Sequence, residues 1–277
     1  MSLRSRASDA MPALGPLAVA TTALTFVLML LGVWTAVGGY GLTCEGRWPI
    51  CDGAVAGLFP ANFGSFVEWF HRLVAMITGF AILGTAVAAW RGGASRRVRA
   101  AFLLALLITP VQIVLGALTV TTYERLILAV HFGSALAIIA LLAAGTVWTV
   151  GRVPAVERLG AAAVALLAPA ALLTPGVLVA HPAWLHVAWI ALSLAGFLAL
   201  YVASLAPNAG SDATRLLAGS GAGAAAVAIV VGRVRLDATG QAIVLVGLGL
   251  ALALAAVTVW RSRRSARTGT RLGSAGS

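Results

Sequence analysis

Apolar runs long enough to cross a lipid bilayer recur along almost the whole of this 277-residue chain. A helix that spans the hydrocarbon core needs about 20 predominantly apolar residues. Eight segments reach that length, at roughly residues 16–38, 66–90, 98–120, 127–149, 158–180, 185–206, 215–232 and 240–260. Hydrophobic residues make up 61% of the chain and charged residues 10%, too little polar surface for a water-soluble domain of this size. With no water in the bilayer core, the backbone must bond within each segment, which requires helices. The sequence therefore predicts an all-α, polytopic membrane protein with eight transmembrane helices. The seventh is the least apolar, with Gly219-Ser220-Gly221-Ala222-Gly223 near its start. Small residues let membrane helices approach closely, so an interior position is expected for it.

The net charge of +11 comes from 19 basic residues, all of them arginine. Fourteen fall on one side of the expected topology: Arg4 and Arg6, Arg91, Arg96, Arg97 and Arg99, Arg152 and Arg158, Arg215, and the tail Arg261, Arg263, Arg264, Arg267 and Arg271. The other side carries only Arg47, Arg125, Arg233 and Arg235, with Arg72 near a helix end. This is the positive-inside pattern; it predicts a plasma-membrane protein with both termini in the cytoplasm, and argues against nucleic acid as a partner. The first apolar segment is too long for a secretory h-region and lacks a clear cleavage site, so it reads as a retained helix. Gly269–Ser277 reads as a disordered tail.

The chain also looks internally duplicated. Trp69–Leu83 (WFHRLVAMITGFAIL) resembles Trp184–Leu200 (WLHVAWIALSLAGFLAL), which aligns His71 with His186. The fourth and eighth segments both end in Thr-Val-Trp, at Trp148 and Trp260. The expected organisation is two pseudo-repeated four-helix bundles, residues 1–150 and 151–277.

Ionisable side chains inside a membrane span are costly and point to function. The four histidines are His71, His131, His181 and His186. His71 and His131 each fall a few residues into a helix descending from the outer face, which places both imidazoles at a similar depth. Facing each other from different helices, they can supply both axial ligands of a haem iron. The plainer reading is a pair of interhelical hydrogen-bonding histidines. Glu68 precedes His71 by three residues and shares its face. It reads either as a general base beside the ligand or as a solvated charge at the helix start. Arg72 reads either as a partner for a haem propionate or as an arginine snorkelling to the headgroups. Cys44 and Cys51 flank Glu45–Ile50 in the loop assigned to the outer face, where disulfides are permitted. A structural staple and a redox-active pair both remain open there.

Four pieces of the first half together resemble the haem A synthase family of cytochrome oxidase assembly enzymes. They are Gly39–Gly53 (GYGLTCEGRWPICDG), Glu68–Arg72 (EWFHR), Gln112–Val120 (QIVLGALTV) and Val130–Ala135 (VHFGSA). The resemblance implies eight helices in two related halves. It implies oxidation of a methyl group of haem O to a formyl group, through an alcohol, to give haem A. It also implies that His71 and His131 hold the substrate haem, that Glu68 is the catalytic carboxylate, and that Cys44 and Cys51 match a cysteine pair of that loop. Haem O synthase, the oxidase assembly machinery, an electron-transfer partner and membrane lipid follow as partners, with a homo-oligomer left open.

The second half departs from that pattern. The family holds a haem b there between histidines of helices six and eight; His186 matches the first. The segment Gly240–Trp260 has no histidine, and Gln241 is its one clearly polar side chain near that depth. His181 sits in the loop five residues before His186. The arginine often found before the first cysteine is also missing, with Thr35 and Ala36 in that region. Three functions are therefore distinguished: an enzyme of haem A biosynthesis, a non-enzymatic bis-histidine haem protein (electron carrier or haem chaperone), and a transporter built from repeats. A transporter site would lie near the midplane, whereas these polar residues cluster at the outer end.

Overall fold

The computed structural model describes residues 3–44, 47, 54–55, 59–60, 62–122, 124–175, 182–207, 209, 211–234 and 237–274, with backbone alone for 3–13, 54–55, 59–60 and 265–274. Among these the chain forms eight α-helices: α1 (Leu3–Val37), α2 (Phe63–Arg91), α3 (Arg96–Thr121), α4 (Arg125–Val150), α5 (Val156–Leu172), α6 (Ala183–Leu205), α7 (Asp212–Val234) and α8 (Ala238–Ser274). A 3₁₀ turn at Tyr40–Leu42 and a ribbon of two short antiparallel strands, β1 (Ala54–Val55) and β2 (Phe59–Pro60), lie between α1 and α2.

Seven of the helices are long and apolar enough to cross a membrane, and α7 is the least apolar of them. The exception is α5, where the sequence predicts a span over 158–180. Its 17 residues reach about 25 Å, short of the roughly 30 Å hydrocarbon core. Pro175 explains the early stop, because the residue before a proline is driven out of the helical region. Two other boundaries differ from expectation in the opposite sense. Helix α1 begins at Leu3, upstream of residue 16, and α8 runs through Ser274, past Gly269 where a disordered tail is expected. Extending an existing helix needs no new nucleus, so a long apolar span carries its polar flank along.

The helix ends follow local chemistry. Asn62 caps α2, its side chain accepting from the Ser65 amide at 2.8 Å. At the other end the Ala94 amide donates to the Ala89 carbonyl and the Gly93 amide to that of Trp90, with Gly93 at φ 65°. That bonding pattern requires a left-handed residue, which glycine adopts without strain.

The chain divides into two compact units, Met1–Val150 with Pro182–Val187, and Gly151–His181 with Ala188–Ser277. In the first unit α1 packs against α2 and α4, and α3 packs against the same two, so the four helices close a ring with α2 and α4 on one diagonal. Leu14, Ala18, Ile82, Ala89, Val98, Phe102, Ala105, Ile138 and Leu142 form its buried cluster, drawn from all four helices. Hydroxyls add short links, Thr21 to Thr85 at 2.9 Å and Thr22 to Thr146 at 3.0 Å. Such interhelical bonds replace the water that lipid lacks. Large apolar side chains including Phe80, Leu107 and Val114 are exposed on the outside, as expected where lipid is the solvent.

In the second unit α8 packs against α5 and α7. Helix α6 meets α5 where Gly196 faces Leu167, and α7 where Gly221 faces Leu200 and Gly232 faces Trp189. Glycine at each of these points removes the side chain that would hold the helices apart.

Close approach has a testable cost in the first unit as well. A Cβ at Gly145 of α4 would lie 2.5 Å from the fully buried Phe102 ring of α3. Overpacking of this kind costs about 1–3 kcal/mol. Gly145→Ala is therefore expected to lower the thermal unfolding midpoint of the detergent-solubilised protein, and an unchanged midpoint would refute this account of the α3–α4 contact.

Candidate functional site

The candidate residues gather at the end of the first unit opposite its buried cluster. That cluster draws on the start of α1, the end of α2, the start of α3 and the second half of α4. Glu68 and His71 lie near the start of α2, and His131 near the start of α4.

Glu68 is 4% exposed, so it is not a solvated charge at the helix start. Its Oε1 accepts from Arg72 Nε at 2.8 Å, one turn further along α2. Arg72 Nη1 donates to the backbone carbonyl of Arg47 at 2.9 Å. The 3₁₀ turn backs the same carboxylate: a Cβ on Gly41 would lie 3.9 Å from Glu68 Oε2. Gly39 (φ 71°) lets the chain reverse into that turn. Edge-to-face contacts among Trp34, Tyr40 and Phe63, with ring centres 5.8–6.2 Å apart, hold the turn against the start of α2. Ser65 Oγ adds a bond to the Thr43 carbonyl at 3.1 Å. Cys44 follows and is fully buried. Cys51 lies outside the described residues, as does His181.

His71 is eight residues beyond Phe63 and His131 six beyond Arg125, about 12 and 9 Å down their helices. The expected match in depth is therefore present. Because α2 and α4 are diagonal members of the ring, the two histidines approach from opposite sides, within electrostatic reach of each other. His71 Nδ1 is buried and makes no hydrogen bond, while the residue as a whole stays partly exposed.

The other diagonal contributes space. A Cβ on Gly32 of α1 would lie 3.0 Å from His71 Cε1 and 3.4 Å from its Nε2. A Cβ on Gly116 of α3 would lie 3.4 Å from His131 Cε1. Each imidazole is thus faced by a glycine from a neighbouring helix. Two nitrogen donors at equal depth, each with its ring set against a bare backbone, fit the axial positions of a haem iron. Sequence reasoning missed both glycines, since among 31 glycines nothing marks these two. It also gave no role to Gln112 of α3, whose Oε1 accepts from Ser134 Oγ of α4 at 2.7 Å. Gln112 lies one turn from Gly116, and a glutamine in a membrane span was the available signal.

His186 sits in the first turn of α6 and is 6% exposed. Gln241 lies in the first turn of α8, its amide bonded to the Asp237 carbonyl.

Comparison with known proteins bears on this geometry. The sequence pattern of a family described as cytochrome oxidase assembly protein matches residues 56–271. A haem A synthase of Bacillus licheniformis is 32% identical over 127 residues, covering 45% of this chain and 41% of that protein. A haem A synthase of Alkalihalophilus pseudofirmus is 32% identical over 117 residues, covering 42% and 39%. A protohaem IX farnesyltransferase of Halobacterium salinarum is 39% identical over 137 residues, covering 48% of this chain and 30% of that enzyme. The chain thus spans less than half the length of these curated relatives. No solved structure matches. With the family pattern running through all the helices from α2 to α8, this chain belongs to the haem A synthase family of cytochrome oxidase assembly proteins.

Proposed function

We propose that the protein is a haem A synthase-type membrane oxidoreductase that oxidises the methyl group of haem O to a formyl group. The observation that carries this reading is the pairing of His71 and His131 across the bundle diagonal, each against a glycine, with a buried carboxylate one turn from His71. His71 and His131 bind the substrate iron from its two faces through neutral imidazole nitrogens. With water as the oxygen source, converting a methyl to a formyl group releases four protons and four electrons, so a proton acceptor at the porphyrin edge and an electron acceptor are required. Glu68 fills that role, held on the His71 face of α2 by the i, i+3 spacing. A pure electron carrier has no use for a buried carboxylate beside its ligand.

Arg72 contacts a haem propionate in this reading, since a guanidinium suits a carboxylate. In the same reading we pair Cys44 with Cys51 as a structural disulfide, which the burial of Cys44 suits. His186, at the start of α6, groups with the first unit, and α8 offers no histidine to pair with it, so this reading assigns no haem b. We read α1 to α4 and α5 to α8 as pseudo-repeats; that α5 to α8 adjoin one another in the same cyclic order as α1 to α4 supports this reading.

The Arg-rich helix ends are cytoplasmic, and with them both termini, in the plasma membrane. Arginines there stack on tryptophans, Arg97 on Trp148, Arg99 on Trp90 and Arg264 on Trp260, as side chains do at a membrane interface. Partners are a haem O synthase that supplies the farnesylated substrate, the oxidase assembly machinery that takes the product, and an electron acceptor. Similarity to enzymes named for farnesylating protohaem IX supports the first of these.

The test is expression in a host that makes haem O, followed by pigment extraction. Haem A is expected only when the chain is present; haem O alone, bound but unconverted, would leave a binding protein instead. Gly32→Ala gives a finer check. The added methyl presses on His71 at 3.0 Å, so the bound haem is expected to keep its stoichiometry while its low-spin electron paramagnetic resonance signal shifts. An unchanged signal would separate Gly32 from the ligand.

A further inference from the structure

The loop before α2 and the carboxylate on α2 are joined through the side chain of Arg72. Arg72 spends Nε on Glu68 Oε1 at 2.8 Å and Nη1 on the Arg47 carbonyl at 2.9 Å. Its side chain is 14% exposed and that of Glu68 is 5% exposed, so the carboxylate end of the link is shielded, while the end at the Arg47 carbonyl is exposed. Arg47 lies three residues beyond Cys44, and its amide bonds back to the Cys44 carbonyl at 2.9 Å. The chain of contacts therefore runs from the Cys44 turn, through the Arg47 backbone and the Arg72 guanidinium, to the Glu68 carboxylate.

We propose that Arg72 is a positioning residue that ties the Glu68 carboxylate to the backbone of the Cys44 loop, so that the seating of this loop sets the direction of the carboxylate. The inference rests on Glu68 being the catalytic carboxylate. A guanidinium suits the task because its planar fork holds two acceptors at a fixed angle. Lysine presents one compact charge on a flexible stem and reproduces the attraction without the geometry. The loop is otherwise seated by the Ser65–Thr43 bond and the Tyr40–Phe63 contact, so its position reaches Glu68 by more than diffuse packing.

The link differs in consequence from a propionate contact. If Arg72 only held a propionate, its loss would weaken haem binding and leave Glu68 undisturbed. As a tether, its loss moves the carboxylate whether or not haem is present.

The test uses the full chain in detergent, without haem and then with haem O. Infrared difference spectra report the Glu68 carboxylate stretching bands, assigned by their loss in Glu68→Gln. In Arg72→Gln these bands are expected to shift in the haem-free protein; in Arg72→Lys they return only in part. Cys44→Ser is expected to shift the same bands by disturbing the loop, and the double variant Cys44→Ser/Arg72→Gln to add nothing beyond Arg72→Gln, as for two members of one pathway. With haem O, Arg72→Lys is expected to lower kcat about tenfold or more, a larger change than any rise in KM from a weakened propionate contact, because a displaced carboxylate acts on the reacting step. Unmoved bands in Arg72→Gln, or additive shifts in the double variant, would overturn the tether. The infrared result does not depend on turnover, so absence of haem A formation by the parent protein would count against the proposed activity and not against the link.

Discussion

Alanine at either His71 or His131 is expected to empty the first-unit site. The two imidazoles provide the protein's bonds to the iron in the proposed arrangement, and losing a group that merely orients a ligand commonly costs about 10–100-fold in metal affinity. Losing a ligand costs at least as much. Protein purified from cells making haem O should therefore carry less than about a tenth of the parent's pigment in each single variant, with less still in the double variant. Whatever haem a single variant retains should show a high-spin spectrum, since one axial position is vacant. Folding serves as an internal control because the buried cluster of this unit, from Leu14 to Leu142, lies at the other end of the helices. Unfolding midpoints of the haem-free variants should stay close to that of the haem-free parent. Stoichiometric low-spin haem in the double variant would remove the site from the first unit altogether.

Glu68→Gln separates chemistry from binding. Glutamine keeps the size of the side chain and can still accept from Arg72, but it cannot take up a proton at neutral pH. General acid–base groups typically contribute 10²–10⁴-fold, so haem A formation should fall by about that factor while haem O remains bound at the parent's stoichiometry. A bis-histidine electron carrier predicts no such split, because its ligands do not need the carboxylate. If Glu68→Gln converts haem O at the parent's rate, the carboxylate is a structural partner of Arg72 and nothing more. Measuring haem content and product from the same preparation keeps these outcomes apart.

Much of this was legible in the residues because lipid leaves few options. Once apolar runs of about 20 residues recur, helices follow, and with them the periodicity that puts Glu68 one turn from both His71 and Arg72. The boundaries were less legible. Helix α5 stops early for a proline, whereas α1 and α8 run long because helix extension is easier than initiation. Matched depth for His71 and His131 could be inferred by counting from helix starts, but their diagonal approach could not, since neighbour order around a bundle is a tertiary property. Gly32 and Gly116 were invisible for the same reason: a glycine opposite a ring looks in sequence like any other glycine. Glu68 kept two readings until its burial was known, and Arg72 changed most. As letters it is a cation beside a ligand; in the fold it bridges a carboxylate and a distant carbonyl.

The placement of the buried cluster at one end of the first unit gives this bundle the mechanics of a clamped fork. Ile82 of the cluster and His71 are eleven residues apart on α2, about 16 Å along the helix. A tilt of about 5° about the clamped end moves the histidine end by roughly 1.5 Å while leaving the cluster's contacts nearly intact. In the proposed reading, a planar haem would enter and leave between the histidine ends by such bending of helices, with the buried cluster holding the other end together.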